Sequence, residues 1–529
     1  MTANSNGTQN GHHARATVLD IQQRRAEAGK LLSGGVATVG DSSRFRGPQS
    51  GKPLAKSFAH HLSSETKLRK PSKLKEAGRL LKNKPDIISV AGGLPPSENF
   101  PIENITFNFK NPNLEEKNGS LSGDQSHLSA TLGKYDTKDA GADYDLSIAL
   151  NYSQTTGGPQ LTRFLTEHSE LVLHPPYADW KLLLTTGSTG TFETLVRAYL
   201  DKERHDSVLT EAYNYSTVLE TFRPQGIKVF GVSADDDGLS PSSFDEVLSS
   251  WDETARGARK PHILYIIPTG QNPTGSTQSI ERRREIYAVA QKHDVLIIED
   301  DPYYFLQLGP YEKGGSIAEE PKTPEGFIAS LVPSYVSIDV DGRVIRIDSA
   351  SKVLAPGSRL GWVIGSEEIL QNYIRVAELS NQVTNGFSQI IVWKLLETWG
   401  HEGYFKWLAK IRTDYTRRRN VLLDVLDNHL PKDLVSWVPP AGGMFVWLKL
   451  DHSRHPDFQK RTLEEIEQEI FEEAVNQGVL FARGSWFRAE PDTPAENIFF
   501  RLSFSTATKD QLTKAVQRLS AAIHKSFGL

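Results

Sequence analysis

From about residue 151 the chain breaks into short apolar runs that alternate with amphipathic segments of helical length, a pattern that predicts strands alternating with helices. Strands are expected at WKLLLTT (180–186), DSVLTE (206–211), KVFGV (228–232), HILYII (262–267), VLIIED (295–300) and RVIRID (343–348). Each is followed by a polar or Gly/Pro-containing turn. This implies an α/β layer fold on a mainly parallel sheet, with ligands gathered beyond the carboxyl ends of the strands. After about 366, helical patterns dominate (EEILQNYIRVAELS, YFKWLAKIRTDYTRRRNVLLDVLDNHL), followed by a mixed end containing GGMFVWLKL and FFRLSFS.

Two stretches depart from this rhythm. Residues 1–55 are rich in Gly, Ser, Asn and Gln and poor in large apolar groups, so a disordered tail is expected, with one surface helix at TVLDIQQRRAEAGKLL (17–32). A second polar stretch, 108–147, reads as a surface insertion.

Composition narrows the chemistry. A chain of 529 residues exceeds what one hydrophobic core usually serves, so at least two lobes are expected. The formal net charge of -5 gives no basic excess for nucleic acid. With no cysteine, thiol nucleophiles, thiolate metal sites and disulfides are excluded. No apolar run suits a signal peptide or a bilayer span, so a cytoplasmic protein without membrane partners is expected; Arg15, Arg24 and Arg25 give only a faint mitochondrial-presequence character. His452 and His455 lie in a polar segment and are read as solvated, so no metal is expected.

Four strand ends carry candidate chemistry. At Thr185 an apolar strand runs into Gly187, Ser188, Thr189 and Gly190 and then a helix, whose free N–H groups suit a phosphate as well as an ordinary cap. PTGQNPTG (268–275) and EDDPYYF (299–305) each follow a buried-looking strand; a carboxylate there must be paired or hold a cation. In RIDSASKVLAPGSRLGW, Lys352 is flanked by Ser349, Ala350 and Ser351 rather than by charges. That setting suits a lysine of lowered pKa able to form an imine, with Arg359 gripping the phosphate near Ser188 and Thr189.

In this combination the chain resembles the class I family of fold-type I pyridoxal-phosphate aminotransferases over roughly residues 56–529. It is most similar to the fungal aromatic-amino-acid and 2-aminoadipate enzymes, through SFAHHLS, RKPSKLKEA, ISVAGGLPPSENFP and IIEDDPYYFLQ. The resemblance implies a large cofactor domain (151–400) and a smaller α+β domain from the N-terminal segment (56–150) and the C-terminal segment (401–529). It makes Lys352 the Schiff-base lysine and catalytic base, Ser349, Ser351, Arg359, Ser188 and Thr189 phosphate ligands, and Asp300 the partner of the pyridine nitrogen. Asp300 is preferred to Asp301 on the Asp-x-x-Tyr spacing to Tyr303. Tyr303 and Asn272 then meet the phenolic oxygen and Tyr215 stacks on the ring. Tyr152 reaches the neighbouring site of a homodimer. Arg501 grips the substrate carboxylate, with Gly92, Gly93 and Phe445 lining the substrate space.

The implied reaction moves the amino group of tyrosine, phenylalanine, tryptophan or 2-aminoadipate to a 2-oxo acid such as 2-oxoglutarate, in ping-pong order, within aromatic amino acid metabolism or lysine biosynthesis. A lyase or decarboxylase of the same fold shares these residues. A regulator with an aminotransferase-like sensor domain would need an N-terminal helix-turn-helix, and residues 1–55 are too short and aperiodic for one.

Overall fold

The computed structural model describes residues 15–31, 40–73, 93–113 and 126–529. Its centre is a seven-stranded sheet built from β1 (Trp180–Thr185), β2 (Ser207–Glu211), β3 (Lys228–Val232), β4 (Ile263–Ile266), β5 (Leu296–Asp300), β6 (Val344–Ser349) and β7 (Gly361–Ser366). The order across the sheet is β1-β7-β6-β5-β4-β2-β3. All neighbours are parallel except β7, which runs antiparallel to both β1 and β6. The six expected strands are therefore present. The seventh, GWVIGS, escapes a periodicity reading because Gly361 and Gly365 interrupt its apolar run.

The central strands are buried along their whole length, and alternate residues enter two different cores. Tyr265, Ile298 and Ile347 face one side, where the helix Ser188–Tyr199 packs; Leu264, Ile297 and Val344 face the other. This is the period-two alternation of an extended chain.

A second, antiparallel sheet of β8 (Val435–Trp437), β9 (Phe445–Leu450), β10 (Ala482–Arg483) and β11 (Ile498–Ser503), in the order β8-β9-β11-β10, forms the smaller lobe with the helices Leu463–Asn476 and Lys509–Phe527. One helix, Gly386–His429, spans both lobes and kinks at Gly400. Its first half puts Ile390, Trp393 and Leu396 into the core shared with Phe164, and its second puts Leu422 and Leu426 beside Val446 and Ile523.

The N-terminal segment is more ordered than its composition suggests. Residues 18–28 form a helix opened by a Thr17 and Asp20 capping box, and Val18 and Ile21 are buried. Arg24 pairs with Glu170 and Arg25 with Glu167 at 2.6 Å each, while Arg46 donates to the carbonyls of Ala178 and Trp180. Two buried apolar residues and two ion pairs to buried carboxylates supply the ordering that a polar composition conceals. Residues 1–14 and 32–39 of that expected tail lie outside the described residues.

The polar stretch 108–147 is likewise no featureless insertion. Residues 108–110 and 127–133 of it belong to a hairpin, Asn104–Lys110 paired with His127–Gly133, which buries Phe107 and Leu132. Trp399 Nε1 donates to the Lys110 carbonyl at 2.8 Å. Nor do the described parts of 56–150 join the small sheet: Ser63 N–H donates to Ala198 O and Phe58 N–H to Glu368, both on the large lobe.

Candidate active site

The carboxyl ends of β1, β2, β4, β5 and β6 open on one side, and the junction with the smaller lobe closes above them. There Gly270 and Gly443 pack backbone to backbone so tightly that a Cβ on either would strike the other. Leu308 N–H donates to Ala441 O at 2.7 Å and Gly443 N–H to Leu306 O at 3.0 Å. Phe445, at the start of β9, is thereby held over the large lobe, its ring 6.1 Å from that of Tyr303 and nearly perpendicular to it.

Beyond β1, Gly187 adopts φ +95°, a conformation side chains disfavour, and its missing Cβ would lie 2.9 Å from the Arg359 guanidinium. The helix that follows begins at Ser188 and Thr189 with no side-chain cap. Its first N–H groups and the Arg359 cation therefore converge on one small space, where positive charge and helix dipole reinforce each other. Beyond β6, Ser349 Oγ donates to Ser351 Oγ at 2.9 Å and accepts from the Ser351 N–H. Ser349 pairs with Gly361, which packs on Gly187, so these residues border one anion cradle.

Lys352 lies 5.9 Å from the centre of the Tyr303 ring. Burial lowers its pKa, and the Arg501 and Arg359 cations push it further down, against the opposing pull of Asp300. A half-buried amine with two cations nearby is biased toward the neutral, nucleophilic form.

Asp300 ends β5, fully enclosed. Its Oδ2 accepts a 2.6 Å hydrogen bond from the Tyr265 hydroxyl, while its Oδ1 is buried without a hydrogen-bond partner among the described residues. Burial raises its pKa to about 6 even though Tyr265 holds the ionised form. Burial raises Tyr303, and Asp300 adds to the effect, so the phenol stays a neutral donor.

Arg501, on β11, donates to Asn272 Oδ1 at 2.6 Å; the Asn272–Pro273 peptide is cis. Its guanidinium sits 4.2 Å from the centre of the Phe445 ring and 4.7 Å from that of Phe487. Sandwiched between two aromatic faces, its planar fork is fixed, with donors left for a carboxylate.

The expected residues thus converge, with Gly93 and Tyr152 as exceptions. Gly93 is exposed, and a Cβ there would meet nothing within 4 Å; Gly92 lies outside the described residues. Tyr152 is 55% exposed and is not drawn into the site of its own chain. Tyr215 is half-buried at the start of the helix Ser216–Phe222, its N–H donating to Asn214 Oδ1 at 2.6 Å, and stands close enough to Tyr303 and Arg501 to act on the charge of both. Tyr265 and Phe487 were not expected: a tyrosine inside a buried strand and a phenylalanine in a loop give no local signal of function.

The residues fit pyridoxal phosphate on the structure's own evidence: an anion cradle, a lysine of lowered pKa, and a buried carboxylate oxygen that lacks a donor where a protonated ring nitrogen would supply one. Residues 137–519 match the family described as aminotransferase class I and II. An aromatic amino acid aminotransferase of Schizosaccharomyces pombe is 42% identical over 475 residues, 89% of this chain and 98% of that protein. An L-tyrosine:2-oxoglutarate aminotransferase of Tapinella panuoides is 35% identical over 78% of this chain and 77% of its own length. The crystal structure of aminotransferase Aro8 from Candida albicans superposes with a TM-score of 0.82 at 38% identity, covering 90% of this chain and all of that one. The converging strand ends and these likenesses agree: the chain belongs to the class I and II aminotransferases, enzymes of the fold-type I α/β architecture that work with pyridoxal phosphate.

Proposed function

We propose that the enzyme transfers the amino group of an aromatic L-amino acid (tyrosine, phenylalanine or tryptophan) to a 2-oxo acid such as 2-oxoglutarate, in ping-pong order. The observation that carries this reading is Arg501, held by Asn272 and flanked by the Phe445 and Phe487 rings opposite Lys352. It offers a carboxylate fork bordered by aromatic faces. The similarity to the S. pombe and T. panuoides enzymes supports the same substrate class.

The residues divide the work. Arg501 binds and orients the α-carboxylate, and the aromatic rings of Phe445 and Tyr303 border the position of the donor side chain. Pyridoxal phosphate, when bound, supplies the electron-withdrawing ring that makes the α-proton acidic. Lys352, its amine biased toward the neutral form, takes that proton at Nζ and returns it to complete the transfer. Asp300 holds the proton on the ring nitrogen. Ser188, Thr189, Ser349, Ser351 and Arg359 fix the phosphate, Tyr303 and Asn272 address the phenolic oxygen, and Tyr215 stacks on the ring.

The working unit in this reading is a homodimer in which Tyr152 reaches the neighbouring site. Its 55% exposure supports this, as does the close packing of Gly386 on the Ala149 backbone, which brings the exposed Phe387 near the same segment. The test is a half-reaction screen, following the visible absorbance of the bound cofactor against single amino acids and 2-aminoadipate, then amino transfer to 2-oxoglutarate. Fast conversion with tyrosine, phenylalanine or tryptophan is expected. Conversion only by non-aromatic donors overturns the substrate assignment, and release of a decarboxylated or eliminated product without amino transfer overturns the reaction.

A further inference from the structure

Asp300 is held on one side only. Tyr265, on β4, pairs in register with Ile298 on β5, so its side chain and that of Asp300, two residues further on, share a face of the sheet. The Tyr265 hydroxyl donates to Oδ2 at 2.6 Å, and Oδ1 is buried with no partner. The phenol itself is wholly buried, and Phe192 meets its ring edge-on at 4.9 Å, which fixes where the hydroxyl points.

We propose that Tyr265 is a positioning residue for the cofactor: by occupying Oδ2 it leaves Oδ1 as the single oxygen available to the ring nitrogen, and it keeps the carboxylate in the charged form that retains that nitrogen's proton. The inference rests on the reading of Asp300 as the partner of the ring nitrogen and extends it to the group that sets Asp300.

Hydrogen-bond accounting leads there. A phenol has one proton to give, and burial with a carboxylate beside it keeps Tyr265 un-ionised. The carboxyl must therefore accept at Oδ2, and any proton of its own must sit on Oδ1, where the cofactor nitrogen would come. Holding a protonated ring nitrogen thus requires an ionised Asp300. The terminal torsion of an aspartate is soft, so one hydrogen bond leaves the carboxylate plane undefined unless a second partner fixes it. Among the groups around Asp300, Asp348 on β6 opposes its charge, while Arg346 on β6 and Lys352 beyond it favour ionisation. Tyr303 faces it as a neutral phenol, and Glu211 at the end of β2, raised by burial to about 8, stands protonated behind Tyr265 at neutral pH. Only Tyr265 hydrogen-bonds Asp300 among the described residues.

The test is a double-mutant cycle of Tyr265→Phe and Asp300→Asn, read by the dissociation constant for pyridoxal phosphate and by the pH midpoint of the bound cofactor's visible band. Tyr265→Phe is expected to weaken cofactor binding about tenfold, as loss of a hydrogen bond to a charged group does. It should also move the midpoint by about one pH unit. In the Asp300→Asn background it should do nothing further, because the hydroxyl acts only through that carboxylate. Phe192→Leu, which keeps the hydroxyl but loosens the ring that aims it, should move the midpoint in the same direction as Tyr265→Phe and by less. Equal effects of Tyr265→Phe in both backgrounds, or an unmoved midpoint, overturn the proposal. If Tyr265→Phe does not fold, 3-fluorotyrosine placed at 265 keeps the shape and strengthens the donor; it must shift the midpoint opposite to Asp300→Asn, and no shift overturns the proposal. An Asp300→Asn enzyme with unchanged affinity and spectrum would instead remove the ring-nitrogen assignment itself.

Discussion

Asp300 and Asp301 are adjacent in the chain, both are buried, and the fold uses them in opposite ways. Asp300 faces Tyr265 and the space beneath Lys352. Asp301 turns to the other face of the sheet, where Thr269 donates to it at 3.0 Å and Arg346 approaches at 3.4 Å. Arg346 also binds Glu299 at 3.0 Å and Asp348 at 2.8 Å, so three buried carboxylates on this side share one guanidinium, although Asp301 Oδ1, like Asp300 Oδ1, has no hydrogen-bond partner among the described residues. Burial raises both aspartates, but Asp301 has its cation within the protein and Asp300 has none within hydrogen-bond reach. A charge balanced by the fold serves stability; one left for a ligand to balance serves function.

The largest effect is expected on the open face. Lys352→Ala should cost at least about 10²- to 10⁴-fold in turnover, the usual worth of a positioned base. It should also abolish the visible absorbance of bound cofactor with an unchanged thermal melt; a persisting band would place the anchor elsewhere. On the ion-paired face the outcome should invert. Asp301→Ala breaks a buried pair and should cost about 3–5 kcal/mol of stability in urea melts, with turnover per folded molecule retained. If Asp300→Ala lost comparable stability, the contrast between the two faces would fail. Next, Arg501→Ala should lower kcat/KM for amino acids by about 1.5–3 kcal/mol, ten- to a hundredfold, and leave cofactor affinity alone; an unchanged kcat/KM would remove its assignment.

The smallest effect concerns a second ion-paired cluster, the clamp on the N-terminal helix. Burial pushes Glu167 up, but hydrogen bonds from His401 and Arg25 outweigh it and hold the carboxyl at about 2. A folded-state pKa below the ordinary 4.5 means that its stabilisation is complete above pH 4.5 and is lost as the pH falls toward 2. Hydrogen-exchange protection of residues 18–28 should therefore hold down to about pH 4.5 and then decline. Decline beginning near neutrality would show that other groups carry the clamp.

How much of this was legible follows from how local each signal is. Six of the seven central strands announced themselves as apolar runs; Asp300 closes one of them, and Lys352, Arg359 and Asn272 stand in loops that follow others. β7 did not, because its glycines dilute the run although one of them is required: a Cβ on Gly361 would come within 2.6 Å of the Asp348 carbonyl. The helix 18–28 was legible as a helix, but not as a docked one, since its anchors Glu167 and Glu170 lie more than 140 residues away.

The sequence by itself determined the alternation of strands and helices, the turns that carry chemistry, and which residue types stand at them. These depend on near neighbours, through periodicity, backbone preference and spacing. Only the tertiary structure decided that Asp300 takes its hydroxyl partner from a strand 35 residues earlier, that Arg501 meets Asn272 across 229 residues between two rings, and that a polar arm is clamped to the large lobe. Such partners are chosen by the packing of distant segments, and no local pattern encodes which buried oxygen will be left without one.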